Sequence, residues 1–289
     1  MTESTNQTQP PTTTKPLTIG VFDSGFGGLT VLRALLPLIP NAHYIYLGDT
    51  ARLPYGSKSR ETIARYAVSS AKFLHEQGAD LLVIACNTAT ALALEDIQQA
   101  LPIPVIGVVQ PGAHAALAAS TQPTPDAPHH VLVLATAATV QSHAYTHALN
   151  ALGLEACEKA CPLLVPLVEE GWTNHPVTDD VLKIYLTEAL ASAPATQTLL
   201  LGCTHYPLIE PAIHRTLASI NHPLTIIDSA AATARATAAL VTEHFPNPAT
   251  IDHPTTTFYA TDSIEKFQRL GSNFLGQPVT EVNLVDLGG

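Results

Sequence analysis

Two short apolar runs in this chain end in the same way. Leu81-Leu82-Val83-Ile84-Ala85 stops at Cys86-Asn87-Thr88, and far downstream Leu199-Leu200-Leu201-Gly202 stops at Cys203-Thr204-His205. Such runs, bounded by small polar residues, read as strands of a parallel sheet buried on both faces. In open α/β sheets, ligands bind beyond the carboxyl ends of the strands. The chain is thereby held to an α/β fold with a thiol at two such ends, and what matters is whether both thiols face one pocket.

The rest of the sequence alternates in the same manner. Strand patterns at 17–23, 43–48, 105–109, 131–134, 153–162, 224–227 and 256–259 are interleaved with helical spacing at 59–77, 89–100, 179–191, 230–243 and 264–274. That alternation is the mark of parallel sheets flanked by helices. A length of 289 residues favours two domains. Asp23-Ser24-Gly25 after the first strand has a counterpart in the stretch from Ala135 to Thr139, and Cys86-Asn87-Thr88 has one in Cys203-Thr204-His205, so the order of elements suggests an internal repeat. The expected division is a Thr/Gln/Pro-rich disordered tail at 1–15, a first α/β domain from 16–110 plus 223–289, and a second from 111–222, each with a central, mostly parallel sheet. The Pro, Thr and His residues of 120–130 predict a surface loop.

Composition removes several functions. Thirteen Lys and Arg against 24 Asp and Glu give a formal charge of −11, which repels a phosphate backbone and argues against general nucleic-acid binding. No apolar run approaches the roughly 20 residues that span a bilayer, and residues 1–15 lack the apolar segment expected of a secretory signal. Four cysteines do not make a disulfide scaffold in a chain of this size, so a cytoplasmic protein with reduced thiols is expected. Cys157 and Cys161, spaced C-x3-C without a second pair, read as packing residues rather than zinc ligands. The 13 histidines are scattered, and no metal is expected.

A cysteine between a buried strand and a helix lies near unpaired backbone N–H groups and the positive end of the helix dipole. That setting lowers a thiol's pKa and equips it as nucleophile or base. Burial in a strand explains either cysteine alone but not the polar flanks Asn87, Thr88, Thr204 and His205. Asp23 and Ser24 precede a glycine turn whose backbone can approach a ligand closely; helix capping is an equal reading of Asp23, and a structural histidine an equal reading of His205. Gly25-x-Gly27-Gly28 does not match a dinucleotide fingerprint. Pro54-Tyr55-Gly56 is on its face a simple turn.

Taken together, Val21-Phe22-Asp23-Ser24-Gly25-Phe26-Gly27-Gly28-Leu29, Gly48-Asp49-Thr50-Ala51-Arg52-Leu53-Pro54-Tyr55-Gly56, Ala85-Cys86-Asn87-Thr88-Ala89, Leu164-Val165-Pro166-Leu167-Val168-Glu169 and Gly202-Cys203-Thr204-His205-Tyr206-Pro207-Leu208 resemble the motifs of bacterial glutamate racemases, in the same order from about residue 16 to near the C-terminus. The resemblance implies two α/β domains with the active site in the cleft between them, interconversion of L- and D-glutamate for peptidoglycan precursors, and no cofactor. It also implies that Cys86 and Cys203 are the two bases and that Asp23 and His205 assist the cysteine on their side. Ser24, Tyr55, Gly56, Asn87, Thr88 and Thr204, with Asp23 and His205, would hold the substrate, and Thr136 and Thr139 are further candidates. The chemistry agrees, since inverting a stereocentre needs a base on one face of the carbon and an acid on the other. Such a thiol pair titrates jointly.

Other readings remain open at this level. An aspartate racemase of similar build, a hydrolase with Cys203 as nucleophile and His205 as its base, and a non-enzymatic amino-acid or metal binder each use part of the pattern. Glutamate is the expected small-molecule partner, a homodimer is one open option for the assembly, and neither nucleic acid nor membrane is expected to be involved.

Overall fold

A computed structural model describes residues 15–120, 129–246 and 248–288. β1 (Thr18–Asp23) leads through a glycine-rich turn into α1 (Leu29–Leu35). β2 (His43–Gly48) is followed by short 3-10 turns at Thr50–Arg52 and Tyr55–Ser57, then by α2 (Arg60–Glu76), β3 (Leu81–Ile84), α3 (Asn87–Ala100), β4 (Val105–Gly107) and α4 (Val109–Ala119). The chain continues with β5 (His130–Ala135), α5 (Ala137–Ser142), α6 (Ala144–Ala151), β6 (Glu155–Ala160), α7 (Leu164–Glu169), α8 (Pro176–Ser192) and β7 (Thr196–Gly202). After a 3-10 turn at Tyr206–Ile209 come α9 (Glu210–Ser219), β8 (Thr225–Asp228), α10 (Ser229–His244), β9 (Thr256–Ala260), α11 (Ile264–Leu275) and β10 (Asn283–Leu284).

The strands form two parallel sheets, one in the order β10-β9-β2-β1-β3-β4 and the other in the order β6-β5-β7-β8. Four strands of the first sheet, β2-β1-β3-β4, repeat the order of the second, so β3 and β7 hold equivalent places. The expected pairing of Cys86 with Cys203 is therefore topological: each follows the strand beside the first strand of its own sheet. β3 is buried along its whole length, and β7 at all but one position, because helices cover both faces.

One boundary drawn from the sequence is wrong. Thr225–Asp228, assigned with 223–289 to the first domain, pairs with β7 in the register Thr198↔Thr225 to Leu201↔Asp228 and completes the second sheet. The local pattern shows a strand there, but which sheet a strand joins is fixed by its neighbour. Return to the first sheet begins with α10. The expected tail falls almost wholly on 1–14 and the expected loop on 121–128, both outside the described residues; Lys15, counted with that tail, pairs with Asp80 at 3.1 Å. Among the described residues no helix is long and apolar enough to cross a membrane.

Local sequence explains the element ends. Ser59 caps α2 by accepting the Thr62 N–H, and Gly78, at a φ of +99°, stops it. In α11, Phe267, Leu270, Gly271, Phe274 and Leu275 recur at helical spacing and are all buried. Phe267 lies 5.8 Å, ring to ring, from both Phe26 and Tyr46 and so fastens this late helix to the turn after β1. Phe267→Ala should lower the stability measured by urea denaturation by about 3–5 kcal/mol, the cost of emptying an aromatic site in a packed core. A loss under about 1 kcal/mol would show that α11 is not anchored there.

Candidate active site

Cys86 stands between β3 and α3 as the helix N-cap. Its Sγ accepts the Ala89 N–H at 3.4 Å and donates to Ser24 Oγ at 3.4 Å. Cys203 follows β7, and its Sγ lies 3.9 Å from His205 Nδ1. Both thiols border one cavity of about 460 Å³ whose walls come from the carboxyl ends of both sheets. Ser24, Tyr55, Gly56, Asn87 and Thr88 reach it from elements of the first sheet, and Thr136, Thr204 and His205 from those of the second. An amino acid fits such a volume.

Asp23 is the expected residue that does not border the cavity. It is 1% exposed, and Oδ2 accepts the Gly25 N–H at 2.9 Å, so the turn folds the carboxylate inward. Oδ1 has no hydrogen-bond partner among the described residues. Burial raises the Asp23 pKa, and the nearby His205 only partly offsets this. Thr139 is likewise behind the wall, fully buried, and joined to Thr88 at 3.2 Å and to Thr136 at 3.0 Å, while Thr88 and Thr136 lie 2.9 Å apart.

The thiol of Cys86 behaves opposite to the expectation from its helix position. The N–H contact is present, yet burial, reinforced by the negative charge of Asp23, pushes this thiol up to about 12. A helix dipole and two hydrogen bonds do not outweigh full removal from water. Opposite it, burial would push the His205 imidazole down, but hydrogen bonds with Cys203 and Glu169 outweigh that effect and hold it up at about 10. The protonated form of His205 is therefore favoured at neutral pH, with its ring beside Cys203 Sγ.

Residues that sequence reasoning left without a role complete the site. Glu169, the last residue of α7, presents Oε1 to His205 Nε2 at 3.2 Å and Oε2 to Lys266 Nζ of α11 at 3.3 Å. Burial works to raise the Glu169 pKa, but these two cations outweigh it and lower it. Both Glu169 and Lys266 border the cavity, as does Cys161, which was read only as packing. Glu169 closes one of the family-like motifs and was visible there; Lys266 carries no local signal. Tyr55 donates its hydroxyl to the buried Asp49 at 2.5 Å, so the loop of Tyr55 and Gly56 meets the cavity with ring and backbone rather than with that proton.

Close contacts between the halves fix the cleft. Thr30 Oγ1 lies 2.9 Å from Gly27 O and 3.0 Å from Thr204 O, able to donate to either carbonyl. A Cβ at Gly27 would overlap Thr204 Oγ1 and the His205 ring, so only glycine lets this turn approach the second thiol's loop. Tyr145 of α6 donates to Asn87 Oδ1 of α3 at 2.6 Å. Among the described residues, no group of three His, Cys, Asp or Glu side chains is arranged to hold a metal ion.

Two thiols, one with a buried carboxylate near it and the other paired with an imidazolium, on one cavity of amino-acid size, form an arrangement suited to moving a proton from one face of a carbon to the other. Comparison with known proteins agrees. Residues 20–237 match the family described as Asp/Glu/Hydantoin racemase. A glutamate racemase of Koribacter versatilis (strain Ellin345) is 51% identical over 94% of this chain and 98% of its own length, and one of Syntrophus aciditrophicus (strain SB) is 44% identical over 93% and 96%. Among solved structures, glutamate racemase from Francisella tularensis subsp. tularensis SCHU S4 in complex with D-glutamate matches with a TM-score of 0.83 and 36% identity, over 95% of this chain and 98% of that one. The chain thus belongs to the Asp/Glu/hydantoin racemase family and stands among its glutamate racemases.

Proposed function

We propose that this chain interconverts L- and D-glutamate by proton transfer between Cys86, Cys203 and the α-carbon, without a cofactor, and so supplies D-glutamate for peptidoglycan precursors. The observation that carries the reading is the shared cavity: thiols from equivalent strands of two sheets open into one space. The relative from Francisella tularensis, in complex with D-glutamate, supports the choice of substrate.

In one direction a cysteine thiolate removes the α-hydrogen while the opposite thiol returns a proton to the other face; in the reverse direction the roles exchange. Asp23 and His205 serve as proton partners on the Cys86 and Cys203 sides respectively, and Glu169 holds the His205 ring by its far nitrogen. The α-hydrogen is only weakly acidic, so the developing negative charge needs fixed donors in a site with little water. Asn87, Thr88, Thr136 and Thr204, which border the cavity, are assigned to the substrate carboxylates, and the amino group of the substrate is left for Ser24 and nearby carbonyls. A hydrolase using Cys203 alone gives Cys86 nothing to do.

Incubated with L-glutamate in deuterium oxide, the protein should release D-glutamate carrying deuterium at the α-carbon, read by mass spectrometry and chiral chromatography. Cys86→Ser and Cys203→Ser should each lower racemisation by at least about a thousandfold, since each removes one proton-transfer group altogether. Turnover of aspartate in preference to glutamate, or racemisation unaffected by either change, would overturn the reading.

Asp23 provides a second test. A carboxyl whose pKa is raised by folding binds its proton more tightly folded than unfolded, so its charge removes stability as pH rises above its ordinary value near 3.8. Asp23→Asn should therefore melt at or above the wild-type temperature at pH 7, with the gap narrowing as pH falls toward that value, while racemisation drops at least about tenfold. A lower melting temperature at pH 7 with full activity would contradict both assignments.

A further inference from the structure

We infer that Tyr145 is a positioning residue for carboxylate recognition: its hydroxyl, donated from α6 to Asn87 Oδ1 of α3, holds the amide oxygen and so sets which end of Asn87 is left free for a ligand in the cavity that Asn87 borders. The identity of the ligand, a small amino acid with two carboxylates, rests on the racemase reading; the geometry does not.

Three observations converge. The bond is short, 2.6 Å, and joins groups with almost no exposure, Tyr145 at 0% and Asn87 at 3%. Asn87 borders the cavity, and its Nδ2 is a buried donor with no hydrogen-bond partner among the described residues. An unmet buried donor is costly, and a carboxylate, which only accepts, is the group that satisfies it. An amide has a donor end and an acceptor end, so without a fixed partner it can turn its oxygen toward a carboxylate and repel it. The Tyr145 hydroxyl removes that freedom by holding the oxygen.

The seat of Tyr145 is itself specified by sequence. A Cβ at Gly202, the last residue of β7, would come within 2.9 Å of Leu134 O and Val133 Cγ1 and within 3.1 Å of Tyr145 Cε2, while Gly112 of α4 meets the ring at ordinary contact distance. The glycine directly before Cys203 thus leaves room for the ring that orients Asn87, the residue directly after Cys86. The two cysteine stretches are linked through this ring as well as through the cavity.

The test is a double-mutant cycle with Tyr145→Phe and Asn87→Ala, measured as kcat and KM for both glutamate enantiomers. Tyr145→Phe should raise KM about tenfold with kcat within about twofold, because fixed orientation aids binding in ground and transition states alike. In the Asn87→Ala background, adding Tyr145→Phe should change KM less than about twofold, the signature of a residue acting through its neighbour. Tyr44→Phe, which removes an equally buried hydroxyl bonded to Ile39 O at 2.9 Å, serves as the control for general loosening and should leave KM unchanged. An unchanged KM in Tyr145→Phe, or fully additive effects, overturns the assignment. Should the wild type fail to turn glutamate over, the racemase reading falls, and the positioning claim is decided by D-glutamate affinity measured calorimetrically on the same proteins, with the same ratios expected.

Discussion

Two strand ends from separate sheets must stay one amino acid apart, and buried polar bonds between the two halves hold them there. Thr88 with Thr136 and Thr139, Tyr145 with Asn87, and Thr30 with the Thr204 carbonyl all cross from elements of one sheet to elements of the other. They join buried or, at Thr136, half-buried groups, and where water is excluded an unmade hydrogen bond costs more than a made one contributes. Sliding one half against the other by even a small amount would leave several of them unsatisfied together. One apolar core runs through both halves and holds them together; these polar contacts add direction to it and help set the width of the cleft.

The same dryness that strengthens those bonds sets the charge state of the site. Cys86, enclosed and close to the charge of Asp23, is held as a thiol despite a helix N-terminus that would favour its anion in a wetter setting. On the other wall the imidazole of His205 is kept protonated by its hydrogen bonds to Cys203 and Glu169, and Glu169 in turn is shared with Lys266. The two walls are built from equivalent strands but differ in their supporting groups. The asymmetry comes from a carboxylate behind Cys86 and an imidazolium beside Cys203.

Much of this was readable from the chain. The two cysteine runs are long enough in apolar residues to be strands and short enough not to be helices, and their polar flanks mark them as more than core. Their equivalence by topology follows from the repeated order of elements. What escaped has physical reasons. Thr225–Asp228 looked like the start of the closing segment because sheet membership is a pairing between distant residues. Asp23 was expected to touch the ligand, but its own turn N–H draws it inward. Lys266 and Tyr145 reach the site on helices whose sequences are ordinary amphipathic patterns, so nothing local distinguishes them from neighbours that only pack. The Cys86 thiol was misjudged in direction because a helix terminus is visible in sequence and depth of burial is not.

The most direct measurement is a crystal structure of the protein with glutamate bound. Opposed thiols require the α-carbon to lie between Cys86 Sγ and Cys203 Sγ, on opposite faces, with each sulfur at a near-attack separation of roughly 3.5 Å. Both sulfurs on one face of that carbon, or glutamate seated where only one thiol reaches it, would contradict the two-base geometry.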